Sequence, residues 1–362
     1  MTLSKVDLAN QVENQLPQGL VANNLPYRNI IINGDMSIAQ RGTSVAGITG
    51  AGYYTLDRYR LTVTSIGTWT MSQDSDVPSG QGFAKSMKLA CTTADASPAS
   101  ADLLLFASKY EGQNLQYLKF GTANAESLTA SFWVKSNKTG TYILELNNSD
   151  NSRTVSKPYT IDVADTWEKK TITYAGDTVG ALDNDNNTSL NVNFWLGAGT
   201  NWTSGTSQTS FATQVNANRA YGQTVNLADS ISNYINITGF QLEAGTTASD
   251  FEFLPYDVNL GRCYRYYYQD PVLAGDNGLN FSLAYDTSQS PGGTRYPVTM
   301  RTSPTITTYN VAGVSGGAHR FGSGDITGVS VVRISATGFT QLSGTFVAGS
   351  TYVFLYKADA EL

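Results

Sequence analysis

Charge is scarce in this chain: 14% of its 362 residues are Asp, Glu, Lys or Arg, against about a quarter in an ordinary soluble domain. The 23 Lys and Arg and 29 Asp and Glu leave a net charge of −6, which argues against a nucleic-acid binder, since that affinity needs clustered cations on phosphates. No apolar run approaches the roughly 18 residues of a membrane helix, and the start MTLSKVDLANQ lacks the apolar core of a signal peptide. The expectation is a chain that neither spans a membrane nor enters the Sec pathway. Cysteine is nearly missing. Cys91 and Cys263 are too few for a disulfide framework and too far apart for a CxxC metal site, so the redox compartment stays open. The one histidine, His319, lies in SGGAHRFGSGD and reads as a surface loop residue. One histidine cannot build a His-rich metal centre or a conventional triad, and HExxH and glycine-rich phosphate loops are missing too. Two carboxylates suffice for glycoside hydrolysis, but Asp and Glu are too common for their presence to argue for it. The expectation is a protein that is not an enzyme.

Ser, Thr, Asn and Gly stand where charge is missing, with 21 Tyr, 14 Phe and 5 Trp, a palette of high β-propensity. Tyr59, Leu61 and Val63 alternate with polar residues, as do Met87, Leu89 and Cys91. The same period recurs at Ala130, Phe132 and Val134, at Tyr142, Leu144 and Leu146, and at Val192, Phe194 and Leu196. Many strands without intervening helices predict antiparallel pairing and an all-β jelly-roll sandwich over residues 28–256. In YINITGFQLEAG the apolar phase switches at Gly239, which predicts a β-bulge. LPYDVNLGRCYRYYYQD, with Pro255 and Gly261, reads as a linker into a new strand. NFSLAYD, RYPVTMR, PTITTYN, VSVVRIS and YVFLYKA then predict about five strands of a smaller C-terminal β-sandwich over 257–362. Tyr264, Tyr266, Tyr267 and Tyr268 put rings on both faces of the expected strand, either as an oligomer contact or shared between intramolecular cores. Asp183, Asp185 and Asn187 begin like a calcium loop, but Thr188 stands where Gly is required and Phe194 where a bidentate Glu belongs, which leaves a polar turn. Residues 1–27 form a separate N-terminal segment. Within it Leu8, Val12 and Leu16 mark a short helix ended by Pro17 and Gly19, either a marginal terminus or an attachment peg.

NIIINGDMSIAQRGTS, YYTLDRYRL, ASFWVKSNKTGTYILEL, DTWEKKTITYAGDT and ITGFQLEAGTTASDFEFLPYDVNLGRCYRYYYQ, in this order, resemble the signature of bacteriophage tail-fibre and receptor-binding chains with a carbohydrate-binding-module-like jelly roll. The resemblance covers about residues 27–268. Relatives often carry Phe and Trp where this chain has Met36 and Ala39, and Trp at the Tyr59 position. The resemblance implies a virion protein made in the host cytoplasm, without membrane insertion. It further implies a homotrimeric fibre whose N-terminus docks on tail adaptor or nozzle proteins and whose β-domains meet a host cell-surface polysaccharide. A structural adaptor or spacer, and less readily a polysaccharide depolymerase, are the alternatives.

Two expectations about sites follow. In modules of the resembled kind the first and last strands often share a structural Ca2+, which would place Asn33, Asp35 and Glu243 around it. The competing account has Asp35 capping a turn and Glu243 pairing with Arg41 or Arg58. For the glycan, the strand phase points Trp133 and Trp195 away from the core. If both strands belong to one sheet, the indoles form a groove with Asn191 and Asn193, closed by Trp202 and Tyr221. The alternative is that a loop or a neighbouring subunit covers both indoles.

Overall fold

A strand with one dry face must press it against another, and this chain does so with two six-stranded antiparallel sheets. The structure, a computed structural model, describes residues 27–270 and 280–362. The first sheet runs β1 (Ser44–Ile48), β3 (Thr68–Asp74), β4 (Ser86–Thr93), β12 (Tyr234–Ala244), β6 (Leu128–Ser136) and β9 (Glu168–Tyr174). The second runs β11 (Ala212–Thr213), β8 (Arg153–Ile161), β7 (Gly140–Asn148), β10 (Thr188–Ala198), β5 (Leu103–Glu111) and β2 (Tyr59–Thr64). A one-turn helix, α1 (Thr200–Thr203), opens the long connection between β10 and β12. The alternating residues read from the sequence meet between the sheets. Phe132 and Phe194 stand edge to face at 5.0 Å, Phe194 meets Phe240 at 5.0 Å, and Phe132 meets Tyr159 at 5.1 Å. Truncating one such buried ring costs about 3–5 kcal/mol. The bulge falls where the apolar phase predicts it: the β12–β6 register shifts between Thr238 and Gln241, and Gly239 holds φ +61°. The segment around Asp183 and Asp185 is the polar turn expected, closed by Asn187 N–H to Asp185 Oδ1 at 2.9 Å.

The stretch after Pro255 is not a plain linker but the helix α2 (Tyr256–Tyr264), with Asp257 in its first turn and Arg262 in its last, which complements the helix dipole. Only Tyr267–Gln269, β13, is strand. Of the tyrosine run only Tyr267 and Tyr268 lie on that strand, one on each face, and the rings of the run are engaged within the chain. Tyr264 meets Tyr268 at 5.2 Å, Tyr268 meets Tyr356 at 5.3 Å, and buried Tyr266 donates its hydroxyl to Glu111 Oε1 at 2.5 Å.

In the C-terminal part, β21 (Thr351–Asp359) is the axis. It pairs on one edge with β13 and β14 (Asn280–Leu283), and on the other with β16 (Thr305–Tyr309) and β17 (Ala318–Arg320), which continues to β18 (Gly324–Ile326). A second sheet of β15 (Gln289–Arg295), β20 (Gly338–Ser343) and β19 (Ser330–Ser335) closes over Tyr356, Phe339 and Phe354. Among the described residues nine strands thus stand where about five were expected, in part because β13, β17 and β18 are only three residues long, too short for periodicity to show. RYPVTMR is not a strand beyond Arg295, and His319 lies on β17 rather than in a loop.

Candidate functional site

The outer face of the second sheet carries an arrangement that begins with a carboxylate in an unexpected place. On β7 the inward residues Tyr142, Leu144 and Leu146 belong to the core, so Ile143, Glu145 and Asn147 point outward. Register sets Glu145 beside Asn193 and Ile143 beside Trp195 on β10. Glu145 is nonetheless fully buried, because the connection after β10 folds back over it. Arg219 from that connection grips the carboxylate with Nε at 2.7 Å and Nη2 at 3.0 Å. Asn193 Nδ2 donates at 3.0 Å and Trp195 Nε1 at 2.9 Å. The guanidinium also lies 5.2 Å from the Trp195 ring and 5.6 Å from that of Trp202, and the two indoles are 5.5 Å apart. Leu103, Leu105, Ile143 and Ala220 complete this small outer core. It fixes the connection as a roof over one end of the sheet.

Beside the roof the face stays open as a pocket of about 290 Å³, with Ser156, Pro158 and Thr160 of β8 as floor and Gln208, Asn218 and Tyr221 as wall. The Tyr221 ring is 43% exposed. Ser156 Oγ is buried and has no hydrogen-bond partner among the described residues, a condition that costs about 1–3 kcal/mol unless another molecule supplies the bond. Gln208 Nε2 is held by the Thr154 carbonyl at 2.7 Å, and its Oε1 accepts from Asn218 Nδ2 at 3.3 Å, so the wall is preset. An exposed ring beside an unpaired hydroxyl and fixed amides can hold a molecule with both an apolar face and hydroxyl groups.

The two indoles expected in one groove lie on different sheets: Trp133 on β6 of the first, Trp195 on β10 of the second. The joint groove is therefore not formed. Trp195 is 0% exposed, roofed by the chain's own loop. Trp202 does close over it, Asn193 is buried on Glu145, and Asn191 donates to Asn147 Oδ1 at 3.1 Å and Ser149 Oγ at 2.8 Å. Of the six residues, Tyr221 alone lines the open pocket. Sequence reading missed Glu145, Arg219 and Ser156. A charged residue between Leu144 and Leu146 was the available signal for Glu145, while Arg219 is joined to it only by the fold.

Asn33, Asp35 and Glu243 do not share a site. Asn33 Nδ2 donates to the Ile38 and Asp57 carbonyls at 2.9 and 3.0 Å, while its Oδ1 accepts from Ile38 N–H. Asp35 Oδ1 accepts from Ser37 and from Asn259 Nδ2, on α2, at 3.1 Å. Glu243 is buried on Ser249, whose N–H and hydroxyl reach it at 2.8 and 2.7 Å, and it pairs with Arg28 at 3.6 Å, not with Arg41 or Arg58. No group of three acidic, His or Cys side chains with metal-ligand geometry occurs among the described residues. The NGDMS, LDRYR and YDVNLGRCYRYYYQ motifs thus meet as a knot that ties α2 to the sandwich. Gly34 belongs to it: its carbonyl accepts from Phe240 N–H at 2.9 Å, and a Cβ there would stand 2.1 Å from the Phe240 carbonyl.

No protein-family model and no curated protein sequence matches the chain. Among solved structures it is similar over 61% of its length to the enzymatically active domain of bacteriophage CBA120 tailspike protein 4, at 15% identity and a TM-score of 0.32, and it spans 22% of that chain. TmCBM61 in complex with β-1,4-galactotriose aligns at 10% identity and a TM-score of 0.30, over 60% of this chain and 99% of that one. A family 11 carbohydrate-binding module of a Clostridium thermocellum cellulosomal cellulase aligns at 11% identity and a TM-score of 0.27, over 60% and 96%.

Proposed function

We propose that this chain is a non-enzymatic component of a bacteriophage tail fibre and that it holds a host-surface glycan on the outer face of its second sheet. One observation carries the binding part: the 43% exposed Tyr221 ring stands in a pocket with the buried, unpaired Ser156 hydroxyl. A pyranose has an apolar C–H face for the ring and hydroxyl groups for Ser156, Asn218 and Gln208. The tail-fibre part rests on the ordered motifs from NIIINGDMS to GRCYRYYYQ. The N-terminal segment proposed to dock on the virion, residues 1–27, lies outside the described residues apart from Tyr27. Homotrimeric assembly belongs to the same proposal, and three weak sites in one trimer would raise apparent affinity on the order of 10²-fold or more. A structural Ca2+ near Asn33, Asp35 and Glu243 would have to form alongside the protein partners these side chains already hold.

The test is Tyr221→Ala in the folded full chain. A ring–sugar contact is worth about 1–1.5 kcal/mol, so adsorption to host cells or to purified host polysaccharide should weaken about tenfold. Undiminished adsorption refutes the pocket and favours the spacer reading.

A further inference from the structure

A larger cleft lies at the junction of the sandwich with the C-terminal domain, away from the sheet-face pocket. Its volume is about 740 Å³, and its walls include Arg41 and Tyr53 from the sandwich and Arg301, Thr305, Thr307 and Lys357 from the C-terminal domain. Ligand pockets commonly fall within about 300–1,000 Å³ and favour domain junctions, so size and place suit a molecule of two or three sugar rings.

The charges around the cleft do not cancel. Arg58 and Arg41 both bind Glu361, and Arg41 also faces Asp359 at 3.5 Å and Asp57 at 4.0 Å. Arg301 is held by neutral acceptors, the carbonyls of Ala360 at 2.8 Å, Asn186 at 3.0 Å and Glu361 at 3.2 Å. Lys357 lies 5.0 Å from the Tyr309 ring. Among the described residues neither Arg301 nor Lys357 has a carboxylate within ion-pair distance. Of the side chains that line the cleft, three are cations (Arg41, Arg301, Lys357) and two are carboxylates (Asp359, Glu361), an excess of one positive charge. Arg41 adds little of this excess, because its guanidinium is stacked 3.5 Å from the Tyr267 ring and its buried Nη1 faces Asp57 at 4.0 Å.

Register supplies the rest of the surface. Thr305 is paired with Asp359 and Thr307 with Lys357 on adjacent strands, and residues two apart share a face. Two hydroxyls, an ammonium and a carboxylate thus stand as a block beside the Tyr53 ring.

We propose that this cleft is a second ligand site and that it takes a carboxylate-bearing saccharide. The uronate carboxylate meets Lys357 and Arg301, the ring hydroxyls meet Thr305, Thr307 and Asp359, and the pyranose face meets Tyr53. Because both domains supply walls, the ligand also braces the junction between them. The inference is independent of the sheet-face pocket.

The experiment is calorimetric titration of the full chain with trigalacturonate and with the same trisaccharide after reduction of its carboxyl groups. The acidic form should bind at least about tenfold more tightly than the reduced one, the worth of one charge-assisted hydrogen bond, and its affinity should fall with added salt. Lys357→Gln should weaken the acidic form by about the same factor, while Lys357→Arg retains it. The proposal is overturned by equal binding of the two forms, by no binding of trigalacturonate at millimolar concentration, or by undiminished binding in Lys357→Gln. The comparison of the two saccharides on the unaltered chain decides the matter even if a variant fails to fold.

Discussion

Replacing Arg219 by Ala should release the roof over the second sheet, and the cost can be worked from the groups left behind. Glu145 is fully buried, while the Arg219 side chain retains 15% exposure. Without the guanidinium the carboxylate keeps Asn193 Nδ2 at 3.0 Å and Trp195 Nε1 at 2.9 Å, but loses both charge-assisted bonds. Removing one partner of a buried ion pair costs about 3–5 kcal/mol. Solvent reaches the arginine side, which places the expected loss near the lower end, about 3 kcal/mol, including two cation–π contacts of about 0.5–1 kcal/mol each. Urea denaturation followed by tryptophan emission reads both parts, since Trp195 and Trp202 lie under the roof and should shift to the red as water enters. Glu145→Gln provides the asymmetric control. It keeps an acceptor for its neighbours and leaves the charge on the residue that can turn to water, so it should cost less, about 1–2 kcal/mol. A loss below about 1 kcal/mol for Arg219→Ala with an unmoved emission maximum, or a larger loss for Glu145→Gln, would show that the buried carboxylate is not what fixes the connection.

Gly239→Ala should destabilise the sandwich by about 1–3 kcal/mol, because the site holds φ +61° and a Cβ would stand 2.5 Å from the Phe83 ring; an unchanged urea midpoint would mean that the bulge is not locked. At the junction, burial alone would raise the Glu111 pKa. Hydrogen bonds from Arg265 at 2.7 and 2.6 Å and from Tyr266 outweigh it and hold the carboxyl below its ordinary 4.5. The unfolded chain then binds more protons, so this contribution is complete above about pH 4.5 and is lost as pH falls through the folded value. Denaturation midpoints of the unaltered chain should drop more steeply below that pH than those of Glu111→Gln, and parallel curves would contradict the assignment.

Period-two alternation was enough to identify strands β2, β4, β6, β7, β10 and β12 of the sandwich, the inward set around Phe132 and Phe194, and the bulge at Gly239, but not β1, β3, β5, β9 or β11. In each case neighbours along the chain alternate between water and core, so the pattern is local. Very short strands such as β17 and β18 carry too few residues for that pattern, and the helix α2 was obscured by Pro255 and Gly261, which suggest a turn. The sequence also showed, correctly, that Trp133 and Trp195 leave the inner core. What it lacked was sheet membership: strand order is set by long-range pairing, and β6 and β10 lie on opposite sheets that meet through Phe132 and Phe194, which leaves their indoles on opposite outer faces. The same holds for chemistry. Asn33 and Asp35 stood out as possible ligands because carboxamide and carboxylate oxygens bind cations, yet tertiary contacts with Asn259 and Asp57 make them the knot at the domain junction. Glu145 drew no attention among the leucines of β7, and only the return of the chain 74 residues later brings Arg219 onto it. Side-chain direction along a strand is a property of the sequence, whereas the partner that meets a side chain depends on how distant segments close over one another.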